Sequence, residues 1–340
     1  MVFVTGGTGF LGSHLLFHLL KIGKKVRAIK RADSNFILLS NVFSFYTEDT
    51  QKYLGKIEWV EGDILDIYSL DRALNEVSDV YHAAAIVSFD PSHRKKMMKA
   101  NVEGTANLIN AALGKNIRKF CHVSSIAAIG RAENDKVIDE NVVWKTSKKN
   151  SNYAISKYGA EREVWRGIEE GLNAVIINPS VILGPRELNR GIGSLISMVR
   201  NGFKFYTPGV NGFVDVRDVA ESMIRLMESD IYNERFIVSA DNLTYKQIFD
   251  WIAEYLKMPG PKYKATPNIS EIAWRLEYFR GLFTNKKPFI TKETARTANN
   301  TYYYSSDKLI QALDFKFLPV RQTIRDACEL FLKNEDKLKF

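Results

Sequence analysis

The sequence contains no apolar run that approaches the roughly 18 residues of a membrane-spanning helix. Its N-terminal segment is apolar, but it lacks the basic leader and the small-residue cleavage site of a secretory signal. The two cysteines, Cys121 and Cys328, do not have the spacing of a metal site or a redox pair. We therefore expect reduced thiols, no bound metal, no membrane association and a cytoplasmic location.

The chain also lacks a basic arm and an internal repeat. Its 48 lysines and arginines outnumber the 39 acids and give a formal net charge of +9, but the two signs are interspersed. Dispersed positive charge favours a solvated surface that attracts anionic cofactors over a surface that binds nucleic acid. With 45% hydrophobic residues, 340 residues are enough to build a large core in one or two domains.

Glycine is concentrated near the start, where Thr5-Gly-Gly-Thr-Gly-Phe-Leu-Gly12 follows a short apolar run. An apolar-periodic segment at 11–22 comes next, so the pattern predicts a strand, a tight turn and a helix. Glycines in such a turn allow positive φ, close approach of a pyrophosphate, and close packing of the helix on the strand. The flanking elements favour a dinucleotide-binding turn over an ordinary strand-to-helix connection.

Strands and helices alternate through the first half of the chain. Apolar runs at 25–31, 57–63, 80–85, 118–125 and 173–179 predict further strands, with helices between them that include 65–77 and 95–112. This alternation predicts an α/β fold, a doubly wound (Rossmann) parallel sheet with a smaller, mainly helical C-terminal substrate lobe. We expect a Rossmann domain of residues 1–180 plus 213–240 and a substrate-binding lobe of residues 181–212 plus 241–340.

Several local features are also predicted. Residues 35–56 lack a clear period and predict a surface loop with part of a helix. Phe205 and Tyr206, followed by Pro208 and Gly209, suggest a hairpin. Asp218 is expected to cap the helix that ends near residue 228.

The second predicted strand ends in two cations, Lys30 and Arg31, with no acid at its tip. In a nicotinamide-binding fold an acid there would hold the ribose 2′-hydroxyl of NAD, whereas arginine accommodates the 2′-phosphate of NADP. The sequence therefore favours NADP(H), with NAD(H) as the alternative. Asp63 ends the third strand, where its carboxylate can accept from adenine or cap the next helix.

Tyr153 and Lys157 stand one turn apart on a helix predicted to begin near Asn152, so they share a face. A lysine ammonium favours the phenolate, which brings a tyrosine into range for proton exchange with a substrate oxygen. Ser124 and Ser125, at the end of the fifth strand, offer a hydroxyl to the same oxygen. The alternative is that Tyr153 and Lys157 are an ordinary pair of residues on the surface of a helix. The glycine turn and the strand-end serines favour a catalytic pair.

Together these motifs resemble those of the extended short-chain dehydrogenases/reductases of the NAD(P)-dependent epimerase/dehydratase superfamily. The resemblance covers nearly the whole chain. It rests on the glycine turn, Gly62-Asp63, His82-Ala-Ala-Ala85, Asn101-Val-Glu-Gly-Thr105, Ser124-Ser125, Tyr153-x-x-x-Lys157 and Asn178-Pro-Ser-Val-Ile-Leu-Gly-Pro185.

The resemblance implies site residues. The implied catalytic residues are Ser125, Tyr153 and Lys157. The implied cofactor contacts are Gly6, Thr8, Gly9, Phe10, Leu11, Gly12, Arg31, Asp63, Ile64, Ala83, Ala84, Ala85, Tyr153, Lys157, Pro179 and Val181. The implied substrate contacts are Ser88, Phe89, Ser125, Tyr153 and Phe205.

Within the superfamily, the segments at 177–185 and 213–220 look more like the dihydroflavonol-4-reductase group than like sugar-nucleotide enzymes. This implies reduction of a small ketone or aldehyde to an alcohol with NAD(P)H. Ile126 and Ala127 follow Ser125 where dehydratases tend to carry an acidic pair, so a dehydratase is rejected. An NAD-dependent nucleotide-sugar epimerase and a non-catalytic NADP-binding regulatory protein stay as alternatives, and a homodimer is compatible with the sequence.

Overall fold

The computed structural model describes residues 1–130, 137–148, 150–185, 191–266 and 298–337, together with Ile269, Glu271, Trp274 and Arg275. Its helices are α1 Phe10–Lys21, α2 Ile37–Tyr46, α3 Thr50–Leu54, α4 Ile67–Ala73, α5 Arg94–Met97, α6 Gly104–Leu113, α7 Asn152–Glu169, α8 Ile192–Arg200, α9 Val216–Glu228, α10 Tyr245–Leu256, α11 Asp307–Leu313 and α12 Val320–Lys337. A π-helical turn, Met98–Glu103, joins α5 to α6, and 3₁₀ turns occupy Pro91–His93 and Ile126–Ala128.

The strands are β1 Val2–Thr5, β2 Val26–Lys30, β3 Ile57–Glu61, β4 Asp79–His82, β5 Lys119–Val123, β6 Ala174–Pro179, β7 Val181–Leu183, β8 Phe205–Tyr206, β9 Val210–Asp215, β10 Glu234–Val238, β11 Asp241–Thr244 and β12 Tyr263–Lys264. Seven of them form a parallel sheet in the order β10-β6-β5-β4-β1-β2-β3. The predicted doubly wound fold is confirmed. The chain runs from β1 outward to β3 and then crosses to β4, so the strand order reverses between β1 and β4, where open α/β sheets bind their ligands.

Both faces of this sheet are buried, which explains the near-continuous apolar strands. Strand β1 shows the alternation, since Val2 and Val4 pack into one apolar cluster and Phe3 into the other. Helices α1, α2 and α9 contribute to the first cluster, and α4, α6 and α7 to the second. The carboxyl edge of the sheet is thereby held rigidly between two helical layers.

A third apolar cluster is formed by residues from the C-terminal half of the chain. Helices α8, α10 and α12 pack there around β7, β9 and β11, which form a separate three-stranded sheet in the order β11-β9-β7. Strand β9 spans the predicted domain boundary at residue 213. Residues 276–297, which belong to the predicted substrate lobe, lie outside the described residues. Within the described part of the chain, no helix combines the length and apolar character that crossing a membrane requires.

Three local predictions are wrong. Helix α4 is capped by Asp66 and α9 by Asp215, each of which accepts a backbone N–H two residues on, whereas Asp63 and Asp218 do not cap them. Strand β8 pairs in parallel with β12 rather than in a hairpin, because its partner comes from residues 263–264.

The segment at 35–56 contains two helices, and it is not mainly a surface loop. Leu39, Val42 and Phe43 of α2 are buried in the first apolar cluster. Phe43 and Tyr46 pack their rings on Phe17 of α1. The aromatic residues that obscured the helical period are therefore core contacts.

Candidate active site

The glycine turn lies at the carboxyl end of β1 and leads into α1. Gly6 has a φ of +73°, and a Cβ atom there would lie 2.7 Å from the carbonyl carbon of Ala83. A Cβ atom on Gly12 would lie 2.1 Å from the carbonyl oxygen of Gly6. Both positions therefore require glycine, the first for its left-handed backbone and both for their close backbone contacts.

The N-terminus of α1 is open to an anion. Gly9 is the N-cap residue of α1, and no side chain caps the first turn, which includes Phe10 and Leu11. The free N–H groups of that turn and the helix dipole favour negative charge at this place. A pyrophosphate fits this turn.

The end of β2 carries the two predicted cations, but acids lie beside them. Arg31 forms an ion pair with Asp33, with 3.2 Å between Nε and Oδ1, and both side chains are exposed. Lys30 lies 3.9 Å from Glu61 at the end of β3. Strands β1 and β2 pair in parallel and end at the same edge of the sheet, so these charged side chains lie next to the glycine turn.

Asp63 and Ile64 follow β3 at the same edge of the sheet. The Asp63 carboxylate accepts from the N–H of Leu65 at 2.9 Å, which shapes the turn into α4. The Ile64 side chain packs where a Cβ atom on Gly104 would lie, 2.7 Å away. These contacts shape the loop after β3, where Asp63 and Ile64 are predicted to contact the cofactor.

A buried hydrogen-bond chain supports the end of β4. Thr5 Oγ1 lies 2.7 Å from His82 Nδ1 and accepts from the N–H of Ala84 at 3.2 Å. His82 Nε2 lies 2.9 Å from the hydroxyl of Thr105, which donates to the Asn101 carbonyl. Since that hydroxyl proton is used, His82 donates from Nε2 and accepts from Thr5 at Nδ1. Burial lowers the pKa of His82 to about 3, so the ring is neutral.

Asn101 ties the loop after β4 to α7. It lies on the π-helical turn, a distortion often found at functional sites. Its side chain accepts from the N–H of Ile86 at 2.7 Å and donates to the Ile86 carbonyl at 2.9 Å and to Ser156 Oγ at 3.0 Å. The sequence motif contained Asn101 and His82, but their spacing gave no role to either residue.

Ser125, Tyr153 and Lys157 converge beyond the end of β5. Tyr153 and Lys157 lie one turn apart on α7, and the Lys157 ammonium donates to the Val123 carbonyl at 2.7 Å. A hydrogen bond with the Ser125 hydroxyl lowers the pKa of the Tyr153 phenol, but burial raises it by more. In the chain itself the pKa of Tyr153 is therefore raised, opposite to the direction expected from Lys157. Burial also lowers the pKa of Lys157 to about 8.

A second buried network holds the strands behind these residues. The Glu161 carboxylate, one turn beyond Lys157, accepts from Ser124 Oγ at 2.6 Å, from Asn178 Nδ2 at 2.8 Å and from Arg235 at 3.1 Å. Asn178 Nδ2 also donates to the Ser125 carbonyl at 3.0 Å. Sequence reasoning did not identify Glu161 because its partners come from three different strand ends.

The predicted substrate residues are only partly brought together. Phe89 packs edge-on against Tyr153, with ring centroids 6.0 Å apart. Ser88 supports the same loop, because its hydroxyl lies 2.9 Å from His93 Nδ1. Phe205 instead packs on Tyr263, in the separate pair of strands β8 and β12.

Two further predicted cofactor contacts, Pro179 and Val181, lie where β6 ends and β7 begins. Pro179 is buried as the last residue of β6, and Val181 is the half-buried first residue of β7. Between them the N–H of Ser180 donates to the Val238 carbonyl at 3.0 Å. This bend carries the chain out of the central sheet.

Comparison with known proteins gives a consistent family. The sequence model of the NAD dependent epimerase/dehydratase family matches residues 2–238. The chain is 27% identical over 338 residues to cinnamoyl-CoA reductase 1 of Petunia hybrida, covering 96% of this chain and 90% of that protein. It is 27% identical over 355 residues to dihydroflavonol 4-reductase of Arabidopsis thaliana, covering 98% and 88%.

Solved structures show the same fold. The structure of gox2253 superposes with a TM-score of 0.81 at 28% identity and covers 98% of both chains. A UDP-glucose 4-epimerase from Thermotoga maritima, solved with UDP-glucose, superposes with a TM-score of 0.76 at 20% identity, covering 98% of this chain and 99% of that one.

Proposed function

The chain belongs to the NAD-dependent epimerase/dehydratase family, and within it we propose a reductase that converts a ketone or aldehyde to an alcohol with NADPH. The observation that carries the proposal is the convergence of Ser125, Tyr153 and Lys157 at the carboxyl edge of the sheet that bears the glycine turn. The two relatives named as reductases, similar over nearly the whole chain, support this direction.

The bound dihydronicotinamide would supply the hydride to the carbonyl carbon. Negative charge then grows on the carbonyl oxygen, and Tyr153 Oη donates the proton that neutralises it. With substrate bound, the Ser125 hydroxyl turns its single proton from Tyr153 to the same oxygen. Burial that raises the pKa of Tyr153 suits this direction, because it keeps the proton on the group that must give it away.

Lys157 orients the site from one turn away. Its ammonium has three donors, and one is fixed on the Val123 carbonyl at 2.7 Å. The other two are left to hold the nicotinamide ribose and to favour the phenolate after proton transfer. The buried Glu161, one turn further on, raises the pKa of Lys157 against the effect of burial and so favours the charged form.

The preference for NADPH rests on Arg31. Its pair with Asp33 is exposed, and exposed pairs contribute only about 0–1 kcal/mol. A 2′-phosphate offers a stronger, doubly charged partner for the planar guanidinium. Arg31 can therefore exchange Asp33 for the cofactor phosphate at little cost.

A nucleotide-sugar epimerase that uses NAD is the second candidate. Asp33 and Glu61 stand beside the two cations, so acids are within reach of the place where the NAD ribose would be received. The likeness to the Thermotoga maritima epimerase, at 20% identity, supports only the shared fold. An epimerase returns the hydride to its substrate, so it causes no net oxidation of the cofactor.

The test is a screen of purified protein with NADPH against aldehydes, ketones and nucleotide sugars, following cofactor absorbance and products. The proposal expects loss of absorbance matched by one alcohol per cofactor oxidised. Inversion of a nucleotide sugar without net cofactor loss would support the epimerase. Tight NADPH binding without turnover of any carbonyl would support the non-catalytic binding protein.

A further inference from the structure

Arg235 on strand β10 has no part in the mechanism above, although it contacts the helix that carries Tyr153 and Lys157. Its Nη1 atom donates to Oε1 of Glu161 on α7 at 3.1 Å. The Glu161 side chain is 2% exposed and the Arg235 side chain 20%. A carboxylate buried this deeply needs a cation, because an unpaired buried charge is strongly destabilising. Arg235 therefore compensates the buried charge of Glu161.

The Glu161 carboxylate holds the strand end that bears Ser125. Its Oε2 atom accepts from Ser124 Oγ at 2.6 Å and from Asn178 Nδ2 at 2.8 Å. Asn178 Nδ2 also donates to the Ser125 carbonyl at 3.0 Å. The same carboxylate oxygen thus fixes two consecutive residues after β5, one through its side chain and the other through its backbone. The position of the Ser125 hydroxyl depends on that backbone.

Arg235 also holds the loop that leads towards α7. Its Nε donates to the Glu140 carbonyl at 3.1 Å and its Nη2 to the Val142 carbonyl at 3.2 Å. The Glu140 carboxylate accepts from the N–H of Ile237 on β10 at 2.7 Å. One guanidinium therefore joins β10, this loop and α7.

The charge of Glu161 acts on Lys157, one helical turn before it on the same face of α7. Burial lowers the pKa of Lys157 to about 8, and Glu161 acts in the opposite direction. Two imidazoles of the sheet also lie near Lys157. Burial lowers the pKa of His82 to about 3 and that of His122 well below its usual value, so both rings are neutral. The Tyr153 phenol keeps its proton because burial raises its pKa. Glu161 is therefore the anion that favours the charged form of Lys157.

We infer that Arg235 and Glu161 act together as positioning residues for the proposed reductase. Arg235 holds the buried carboxylate, and that carboxylate holds the backbone of Ser125 and keeps Lys157 charged. The inference rests on the proposed function, in which the Lys157 ammonium holds the nicotinamide ribose and favours the phenolate. Arg235 and Glu161 act through these two residues and not on the substrate itself.

The pairing of Arg235 with Glu161 is tested by a double-mutant cycle. Denaturant midpoints are measured at pH 7 for Arg235→Gln, Glu161→Gln and the double variant. Arg235→Gln leaves the buried carboxylate without its cation, so we expect it to have the lowest midpoint of the three. The double variant removes the carboxylate as well and should recover part of the loss. Losses that simply add in the double variant would overturn the pairing.

The effect of Glu161 on Lys157 is tested by NADPH binding between pH 6.5 and 10. The control is Glu163→Gln, which removes an acid from the same helix, where it pairs with Arg166. In Glu161→Gln the ammonium loses its proton at lower pH, so we expect the Kd for NADPH to begin its rise about one pH unit lower than in the native protein. The control should follow the native curve. Equal curves for the three proteins, or a loss of affinity in Glu161→Gln that is the same at every pH, would contradict the role of Glu161.

A kinetic arm connects the same charge to turnover. With a carbonyl substrate from the screen, we expect the alkaline fall of kcat/KM to move about one pH unit lower in Glu161→Gln and to stay in place in Glu163→Gln. A shift in NADPH binding with an unmoved kcat/KM profile would contradict the role in turnover. A shift in NADPH binding by a protein that reduces no carbonyl would support the positioning of the cofactor and contradict only the reductase.

Discussion

Tyr153 shows how burial and partners set the chemistry of a single residue. Its phenol is held by Ser125 and flanked by Phe89, and burial raises its pKa. We predict that Tyr153→Phe lowers kcat by about 10²–10⁴, the usual contribution of a positioned proton donor. NADPH affinity should change little, since the ring still packs. Steady-state kinetics and a cofactor titration measure the two effects, and native turnover by Tyr153→Phe would exclude the assigned role.

The pKa of Lys157 predicts that kcat/KM depends on pH. Burial lowers its pKa to about 8, so the ammonium that donates to Val123 loses its proton as the pH rises through that value. We expect kcat/KM to fall above about pH 8, because this ratio reports the free protein. The lowered pKa of Lys157 also makes the free energy of unfolding rise with pH. Between about pH 8 and 10.5 the unfolded chain binds more protons than the folded one. A kcat/KM profile that is flat from pH 7 to 10 would contradict the role of Lys157.

Arg31 is expected to distinguish NADPH from NADH in binding. Removing its guanidinium should weaken NADPH mainly, because only NADPH carries the 2′-phosphate. We predict that Arg31→Ala raises the Kd for NADPH about tenfold or more and leaves NADH nearly unchanged. Asp33→Asn is the matched control, since it frees Arg31 from its ion pair and should not weaken NADPH. Equal affinity of the native protein for both cofactors would contradict this prediction.

At the residue scale, the sequence identified the groups whose partners are local or belong to a spaced motif. Tyr153 and Lys157 share a helix face by their spacing alone. Asn101 and Glu161 could not be given roles, because their partners lie up to 74 residues away on other elements. Long-range hydrogen bonds of this kind leave no periodic trace in the sequence.

Helix α9 carries a buried acid that the sequence misplaced. Asp215 caps the helix, whereas the carboxylate of Asp218 lies inside its first turn and accepts from the N–H of Leu318 at 2.9 Å. Burial raises the pKa of Asp218 to about 7, and Asp215 adds to the rise. From about pH 4 to pH 7 the folded chain therefore binds more protons than the unfolded chain, so the stability from this group is lost as the pH rises.

This linkage gives a stability prediction for the element. In Asp218→Asn the amide oxygen still accepts from Leu318 but carries no charge. We expect the variant to gain in Tm over the native protein, and the gain to grow between pH 5 and pH 8. Glu228→Gln, an exposed acid at the C-terminal end of the same helix, is the control and should show no such growth. A Tm difference that stays constant with pH would contradict the buried-acid account.

Elements were predicted best where the apolar period was regular. The strands of the central sheet lie within a few residues of their predicted ranges because the inner strands are buried on both faces and the edge strand β3 still buries Ile57. The caps of α4 and α9 were wrong because each helix begins near two aspartates, and the sequence does not show which one meets the free N–H groups. The β8–β12 pairing joins segments nearly sixty residues apart, which local patterns do not reveal.

At the scale of the whole molecule, the strand order brings the glycine turn and the strand ends of the candidate site to one edge of the sheet. The glycine turn follows β1, Ala84 follows β4, Ser125 follows β5 and Pro179 ends β6, and these strands are neighbours in the sheet. Alternating strands and helices predicted this arrangement. The packing of the C-terminal segment was not predictable, because it depends on contacts such as the bridge between Ile138 and Tyr304.

The most direct test of the account follows the hydride itself. The purified protein is given NADPH deuterated at the transferable position of the nicotinamide, together with a carbonyl substrate from the screen. The account predicts one deuterium on the carbinol carbon of each alcohol and one NADP⁺ formed for each, and Tyr153→Phe should slow both together. Inversion of a nucleotide sugar with no net oxidation of the cofactor would contradict it.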